Sequence, residues 1–482
     1  MIRIADVLAR LQSHGLIVQP VPATEITVTG VSDDSREVKA GDLYCAIRGY
    51  VHDGHRYLED VAEAGAAAAL VETPEPGVDL PQFKVADSRR AAAIAAQVVF
   101  GDPAADLKLV GVTGTNGKTT TVHLARHILS QRYRSGSLGT LGVIGATGEC
   151  EETGLTTPGP IEFARRLAEL KKDGVEYVVA EISSHALSQG RVDGVAFDVG
   201  VFTNLSRDHL DYHADFDEYR ATKTHLAELI AADGTVVVNA DDPAWSDIPD
   251  RGHLIRYGLR TESDYMASDI KLGLTGSSWT LVSPEGPVPV TLPLPGEFNV
   301  SNALAASAVA GAFDFEATEI AESLATAPPV PGRLEVLSNQ PFIVRDYAHT
   351  PDALRRALEA LRPLVSGKLI VVFGCGGDRD AGKRPLMGQV AAQGADYSIV
   401  TTDNPRSEGP QAIIDEILPG LGSAPHEVIV DRRKAISRAI ELADAEDAVV
   451  LAGKGHEVYQ IIGDDRKPFD EALIVEELLS VG

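Results

Sequence analysis

The chain has 482 residues, too many for one typical core, so two to four domains are expected, and its apolar content of 44% is ordinary for a globular protein. A formal net charge of −27 disfavours nucleic acid, which is bound mostly through Lys and Arg, although local loops can still hold small anions. No run of about 18 apolar residues occurs, so no membrane span is expected.

The N-terminus, Met1-Ile-Arg-Ile-Ala-Asp6, mixes charge with short apolar residues and has no signal-peptide core. Cys45, Cys150 and Cys375 are odd in number, far apart and without metal-ligand spacing, which fits a reducing cytoplasm. The first hundred residues are alanine-rich and carry Ser32-Asp-Asp-Ser-Arg36 and Gly41–Gly49 between apolar runs; Phe100-Gly-Asp-Pro103 has turn chemistry and marks a boundary. From Leu107 strand-like and helix-like segments alternate (Glu176–Glu181, Phe197–Phe202, Thr235–Asn239), the pattern of a parallel α/β sheet. Pro328–Gly332 reads as a linker. Beyond it Lys368–Phe373, Tyr397–Thr401 and Ala448–Ala452 form a second α/β pattern, and each run ends in a polar loop: Gly374–Arg379, Asp403–Arg406 and Gly453–Glu457. The expected domains are 1–103, 104–330 and 331–482. Ligands of open α/β sheets bind beyond the carboxyl ends of the strands, so those three loops should line one crevice.

The richest segment is Thr113-Gly-Thr-Asn-Gly-Lys-Thr-Thr120. It follows the buried run Leu109–Val112 and precedes Val122–Leu129, whose apolar residues recur at helical spacing. Strand, glycine-rich turn and helix are the setting of a phosphate-binding loop, with backbone N–H groups and the helix dipole facing an anion. Lys118 can reach the outer phosphates of a nucleotide and Thr119 can ligate Mg²⁺. The spacing departs from the common loop, since Val112 stands where a first glycine is usual.

Other residues are less decisive by themselves. Glu181 ends an apolar strand, suited to Mg²⁺ or to capping a helix. Thr203–His213 packs two histidines and two aspartates, without the H-E-x-x-H zinc spacing; His209 is a candidate for facing a metal. Lys223 alone reads as a surface lysine. Asn299 and Asn302 precede an alanine-rich helix and read as caps. Arg333 follows the linker as a possible phosphate clamp, close in sequence to Asp346-Tyr-Ala-His-Thr-Pro351.

Taken together, Gly114–Thr120, Glu181-Ile-Ser-Ser-His185, Thr203–Asp211, Gly296–Asn302, Pro331-Gly-Arg333, Asp346–Pro351 and Gly453–Glu457 resemble the Mur ligase family of ATP-dependent amide-bond formers in peptidoglycan synthesis. The resemblance runs along nearly the whole chain, and the shortened phosphate loop is the family's own. It implies an α/β fold of three domains: an N-terminal UDP-sugar-binding domain, a central P-loop parallel-sheet ATPase domain and a C-terminal Rossmann-like α/β domain. It implies ATP and two Mg²⁺ ions as cofactors, with Gly114, Thr115, Asn116, Gly117, Lys118, Thr119, Thr120, Asn299, Asn302, Arg333 and Asp346 at ATP. Thr119, Glu181, His209 and Lys223 would be metal ligands, with Lys223 carbamylated by CO₂ to N6-carboxylysine. Lys118, Glu181, His209 and Lys223 would be the catalytic set.

Ser35, Thr156, Thr157, Ser183, Gln189 and Arg191 would bind UDP-N-acetylmuramoyl-L-alanyl-D-glutamate. The string Asp403-Asn-Pro-Arg406 implies meso-2,6-diaminopimelate as the incoming amino acid, held by Arg379, Asp403, Asn404, Pro405, Arg406, Gly453 and Glu457. Arg can meet its distal carboxylate bidentately, and lysine would leave that Arg without an anion. A monomer in the cytoplasm, with neither nucleic acid nor membrane as partner, is expected. A lysine-adding ligase, a folylpolyglutamate-synthetase-like ligase and a P-loop ATPase switch are the rival readings.

Overall fold

A computed structural model describes residues 1–19, 24–49, 52–209, 212–249 and 252–481. The chain forms two compact units, residues 1–266 with 302–320, and residues 267–301 with 321–482. Among the described residues no helix is long and apolar enough to cross a membrane.

Besides a short antiparallel pair, Ile2–Arg3 with Thr27–Val28, two larger parallel arrays organise the first unit. Gly30–Ser32, Asp42–Cys45, Ala68–Val71 and Gln82–Lys84 pair in chain order, all parallel. Helices Ile4–Ser13 and Ser88–Val99 cover one face through Val7, Leu8, Leu11, Ala91, Ile94 and Ala95, and Ile161 and Ala164 of helix Pro160–Lys172 join the same core. Ionic ties supplement it: Arg10 donates two hydrogen bonds of 3.1 Å to Asp102, and Arg90 donates to Asp193. The boundary expected at Phe100–Pro103 is a tight turn, with Asp102 at φ 50° before a short 3₁₀ turn, Pro103–Ala105.

The second sheet of this unit contains Ser135–Gly139, Tyr177–Glu181, Lys108–Thr113, Phe197–Phe202, Ile230–Asn239 and His253–Gly258 in that spatial order, all parallel. The chain starts at Lys108–Thr113 and crosses to Ser135–Gly139. It returns through Tyr177–Glu181 and then builds outward on the other side. The strand order therefore reverses around Lys108–Thr113, the place where ligand crevices form in such sheets. Runs rich in Val and Ala with few polar breaks suit strands covered on both faces.

The second unit carries a sheet of Glu335–Asn339, Phe342–Asp346, Ala448–Ala452, Leu369–Phe373, Tyr397–Val400 and His426–Val428, parallel except for its first hairpin. Alternate residues go to opposite faces, as the strand period requires. Val344, Val371, Phe373 and Val450 meet helices Pro351–Leu361, Lys383–Gly394 and Pro410–Leu421. Ile343, Ile370, Val372, Val449 and Leu451 meet Arg432–Leu442 and Glu471–Val481. Each such buried side chain is worth about 1.5–3 kcal/mol. Inside this second face lies a fully buried ion pair, Arg432 Nε to Glu471 Oε1 at 2.8 Å, and Arg432 Nη2 donates to Ala452 O at 2.9 Å.

Candidate active site

The phosphate loop joins the strand Lys108–Thr113 to the helix Lys118–Leu129, as expected. Two of its glycines are obligatory. Gly114 sits at φ 139°, where a Cβ would fall 1.9 Å from Thr203 Oγ1; Gly117 caps the helix at φ 86°, where a Cβ would fall 2.4 Å from Asn302 Oδ1. Gly114→Ala is expected to cost about 3 kcal/mol or more from strain plus overlap, read as a lower urea midpoint. A parental midpoint would show that the loop has another conformation.

The loop is latched to the next strand end. Thr115 N donates to Asn204 O (2.7 Å), Asn116 N to Asn204 Oδ1 (3.1 Å), and Thr203 Oγ1 to Asn116 O (2.7 Å). Lys118 Nζ donates to Gly114 O and Thr115 O, both at 2.9 Å, and Lys223 Nζ reaches the same Gly114 O at 2.8 Å. Lys223 is not the surface lysine its local sequence suggests: it is 1% exposed and lies 4.7 Å from the centre of the Tyr219 ring. Burial, and next the charge of Lys118, push its amine well below the ordinary lysine value.

Glu181 does not cap a helix. Its Oε1 accepts from Thr140 N (2.8 Å) and its Oε2 from Thr140 Oγ1 (3.1 Å), while Ser183 caps the short helix Ser184–Ser188. Glu181 and Thr119 line one small cavity with Ser137 and His123. Hard oxygen donors fit Mg²⁺ there. Both ring nitrogens of His123 are buried without a partner among the described residues, and burial pulls its pKa down to about 4.

A second metal position is less complete. His209, at φ 53°, sits in a ring cluster with His185, Tyr212, His213 and Tyr219. Among the described residues no group of three His, Cys, Asp or Glu side chains could hold an ion, and Leu210 and Asp211 of this motif lie outside them. Lys223 as an ammonium is donor-only and repels a cation; a carboxylated lysine would instead present anionic oxygens to one.

Five of the six residues expected at the muramoyl peptide form one network. Thr157 Oγ1 donates to Glu181 O (2.8 Å) and accepts from Ser183 N (3.0 Å). Arg191 donates to Thr157 O (2.8 Å) and Gln189 Oε1 (2.7 Å), and Thr156 meets Thr140 (3.3 Å). Ser35 stands on the turn after Gly30–Ser32 in the other sheet, where Asp34, bound by the Arg36 guanidinium, is lowered to about 2.

Asn299 and Asn302 lie within helix Glu297–Gly311 rather than capping it; Asn299 Nδ2 donates to Pro295 O at 2.8 Å. In the second unit Arg333 stacks 4.9 Å over the Tyr347 ring, and Asp346 Oδ2 accepts from Leu334 N at 2.7 Å. Desolvation raises the Asp346 carboxyl against the pull of Arg333. The three polar loops do meet at the carboxyl edge of this sheet. Asn404 Nδ2 donates to Glu457 Oε2 (2.8 Å), Arg406 Nη1 donates to Gly377 O (2.7 Å), and a Cβ on Gly453 would fall 2.6 Å from Asp403 Oδ2. Pro405 and Arg406 turn the chain, Arg406 at φ 51°. Arg379 lies on the neighbouring loop, donating to Asp378 O at 3.1 Å. Sequence reasoning gave no role to Thr140, Tyr219, His123 or Lys454, although His123 and Lys454 stood inside segments already singled out, Val122–Leu129 and Gly453–Glu457.

A phosphate loop at the reversal point of one parallel sheet and a cluster of polar loops at the carboxyl edge of another are the parts of a nucleotide-dependent ligase. Family models match along the chain: Mur ligase family, catalytic domain (residues 27–98), Mur ligase middle domain (112–310) and Mur ligase, glutamate ligase domain (332–455). The chain belongs to the Mur ligase family and is an enzyme that forms an amide bond at the expense of ATP.

It is 41% identical to the UDP-N-acetylmuramoyl-L-alanyl-D-glutamate--2,6-diaminopimelate ligase of Bacillus licheniformis, over 94% of each chain. It is 42% identical to the ligase of the same name from Gloeobacter violaceus, over 99% of this chain and 98% of the relative. A solved structure of a ligase of that name superimposes with a TM-score of 0.70 at 35% identity over 98% of both chains. The MurF ligase of Thermotoga maritima in complex with ADP shares the fold (TM-score 0.65, 19% identity, 95% of this chain and 99% of that one).

Proposed function

We propose that this enzyme joins meso-2,6-diaminopimelate to UDP-N-acetylmuramoyl-L-alanyl-D-glutamate, releasing ADP and phosphate in cytoplasmic peptidoglycan precursor synthesis. The observation that carries the choice of amino acid is the Asn404–Glu457–Arg406 crevice. Glu457 can accept from an ammonium. Arg406, anchored through Gly377 O, presents a planar fork to a carboxylate. The names of the full-length relatives agree with this reading.

The D-glutamate side-chain carboxylate attacks the γ-phosphorus of ATP, the bond to ADP breaks and an acyl phosphate forms. The amine of diaminopimelate then attacks the acyl carbon, phosphate leaves and the amine loses a proton. An anion must approach a polyanion, so the main task is charge neutralisation. Lys118 would exchange its loop carbonyls for the phosphates, and the N–H groups of Gly117 to Thr120 would cradle them. Asn302, against Gly117, would support the loop, and Asn299, Arg333 and Asp346 would contact the nucleotide. Thr119 and Glu181 would hold one Mg²⁺, and His209 with a carbamylated Lys223 a second; when bound, the metal supplies further neutralisation. Ser35 and the Thr156-to-Arg191 network would bind the UDP-muramoyl peptide. We assign 1–103, 104–330 and 331–482 to the UDP-sugar, ATP and amino acid respectively, in a monomer.

The test is phosphate release with Mg²⁺, ATP and the UDP-dipeptide, adding meso-diaminopimelate or L-lysine in parallel. Release with diaminopimelate alone, and a product of the summed mass, is the expected result; preference for lysine would overturn the amino acid assignment. Arg406→Ala should raise the KM for diaminopimelate roughly 5- to 150-fold, from the loss of about 1–3 kcal/mol of charge-assisted hydrogen bonding. An unchanged KM would remove Arg406 from the site.

A further inference from the structure

Lys454 is fully buried in the second unit, 0% exposed, beneath the amino acid crevice. Its ammonium donates to Asn404 Oδ1 at 3.1 Å and to Glu457 Oε2 at 3.3 Å, and lies 5.7 Å from the centre of the Tyr459 ring. Asn404 Oδ1 also accepts from Ile461 N at 3.0 Å, and its Nδ2 donates to Glu457 Oε2 at 2.8 Å.

A primary amide can point either way, and the two orientations offer a ligand opposite polarity. Here both lone-pair directions of Oδ1 are taken by donors, one of them a cation. Turning the amide over would set its NH₂ against the Ile461 N–H and the Lys454 ammonium, and its oxygen against the Glu457 carboxylate. Three favourable contacts would become three like-polarity contacts. Lys454 also balances Glu457 from below, engaging only Oε2. The crevice is left with one N–H of Asn404 as donor and Oε1 of Glu457 as acceptor, a matched pair for a zwitterionic amino acid head.

We propose that Lys454 is a positioning residue that fixes the polarity of the amino acid site by locking the Asn404 amide and Glu457 from beneath. This rests on the reading that diaminopimelate binds at Asn404 and Glu457. A lysine serves this purpose because its ammonium has donors for two acceptors at once and no acceptor of its own. Removing it frees the amide to turn and leaves the Glu457 charge unpaired on the buried side.

Lys454→Met tests the assignment, with KM for diaminopimelate, for ATP and for the UDP-dipeptide measured separately and thermal unfolding as the control for folding. The expected result is a rise of tenfold or more in the KM for diaminopimelate, with the other two within about twofold. Asn404→Asp gives an independent reading should Lys454→Met not fold. It keeps acceptors toward Lys454 and Ile461 and replaces only the N–H side, and it should weaken diaminopimelate by a similar factor. A KM for diaminopimelate within twofold of the parent in either folded variant overturns the proposal, as does an equal rise in all three KM values. If the parent itself shows no diaminopimelate-dependent release, the functional reading fails first and takes this inference with it.

Discussion

Lys118→Ala should abolish turnover while leaving the fold in place. Phosphate release is expected to fall by roughly 10²–10³-fold or more, the scale seen when one preorganised charge-stabilising donor is removed. The structural loss is modest. Lys118 donates to Gly114 O and Thr115 O in the same loop, and the loop keeps its bonds to Thr203, Asn204 and Ser206. A change of about 1–3 kcal/mol in stability would leave circular dichroism intact. Near-parental release from a folded variant would sink the role given to this lysine. Lysine at this position is also the better test than Thr119, because a hydroxyl lost from the cavity with Glu181 can be replaced by water.

The second large effect concerns Lys223. CO₂ adds to a neutral amine, and burial beside Lys118 favours that form. Activity is therefore expected to decline in buffer stripped of CO₂ and to return on adding bicarbonate. At constant dissolved CO₂, the recovery should be faster as pH rises through the depressed pKa of the amine and flat above it. Lys223→Ala should lose roughly 10²-fold or more of turnover and show no bicarbonate response. Mass analysis of the native protein under bicarbonate should find the mass of one CO₂ added at this lysine. Full activity with an unmodified Lys223 in CO₂-free buffer would end the argument. A linked effect on stability has a definite sign. The unfolded chain binds the Lys223 proton more tightly than the folded one, so this residue lets stability rise with pH until the ordinary lysine value of 10.5 is passed.

How much of this was legible in the sequence depends on the range of the interactions. Strand runs such as Phe197–Phe202 and Ala448–Ala452 match their observed bounds, because a strand buried on both faces announces itself as an unbroken apolar run. The phosphate loop was legible because glycine, lysine and threonine act within eight consecutive residues. Lys223 was not: its local helix is polar, and its burial is decided by Gly114 O, more than a hundred residues away in the chain. Asn299 and Asn302 looked like caps because helix starts favour Asn, yet the helix begins at Glu297 and takes both inside. Glu181 could also be read as a cap, and the Thr140 contacts, with Ser183 capping the helix, exclude that. His123 carried no signal, since a histidine one turn beyond Thr119 becomes notable only once the cavity it lines is seen.

The buried Arg432–Glu471 pair puts the two ends of the mechanism on different clocks during synthesis. A chain emerging from the ribosome folds its earlier parts first. The phosphate loop and all five of its central parallel neighbours are available once the strand His253–Gly258 has been made. The crevice around Asn404 and Glu457 must wait. Its loop hangs from Ala452, whose carbonyl is held by Arg432, and that guanidinium lacks its carboxylate until Glu471, 39 residues further along the chain, has been made. Leaving such a charge buried without its partner costs about 3–5 kcal/mol. The nascent protein thus builds its phosphate loop well before it can order a place for the amino acid, which waits for the helix Glu471–Val481.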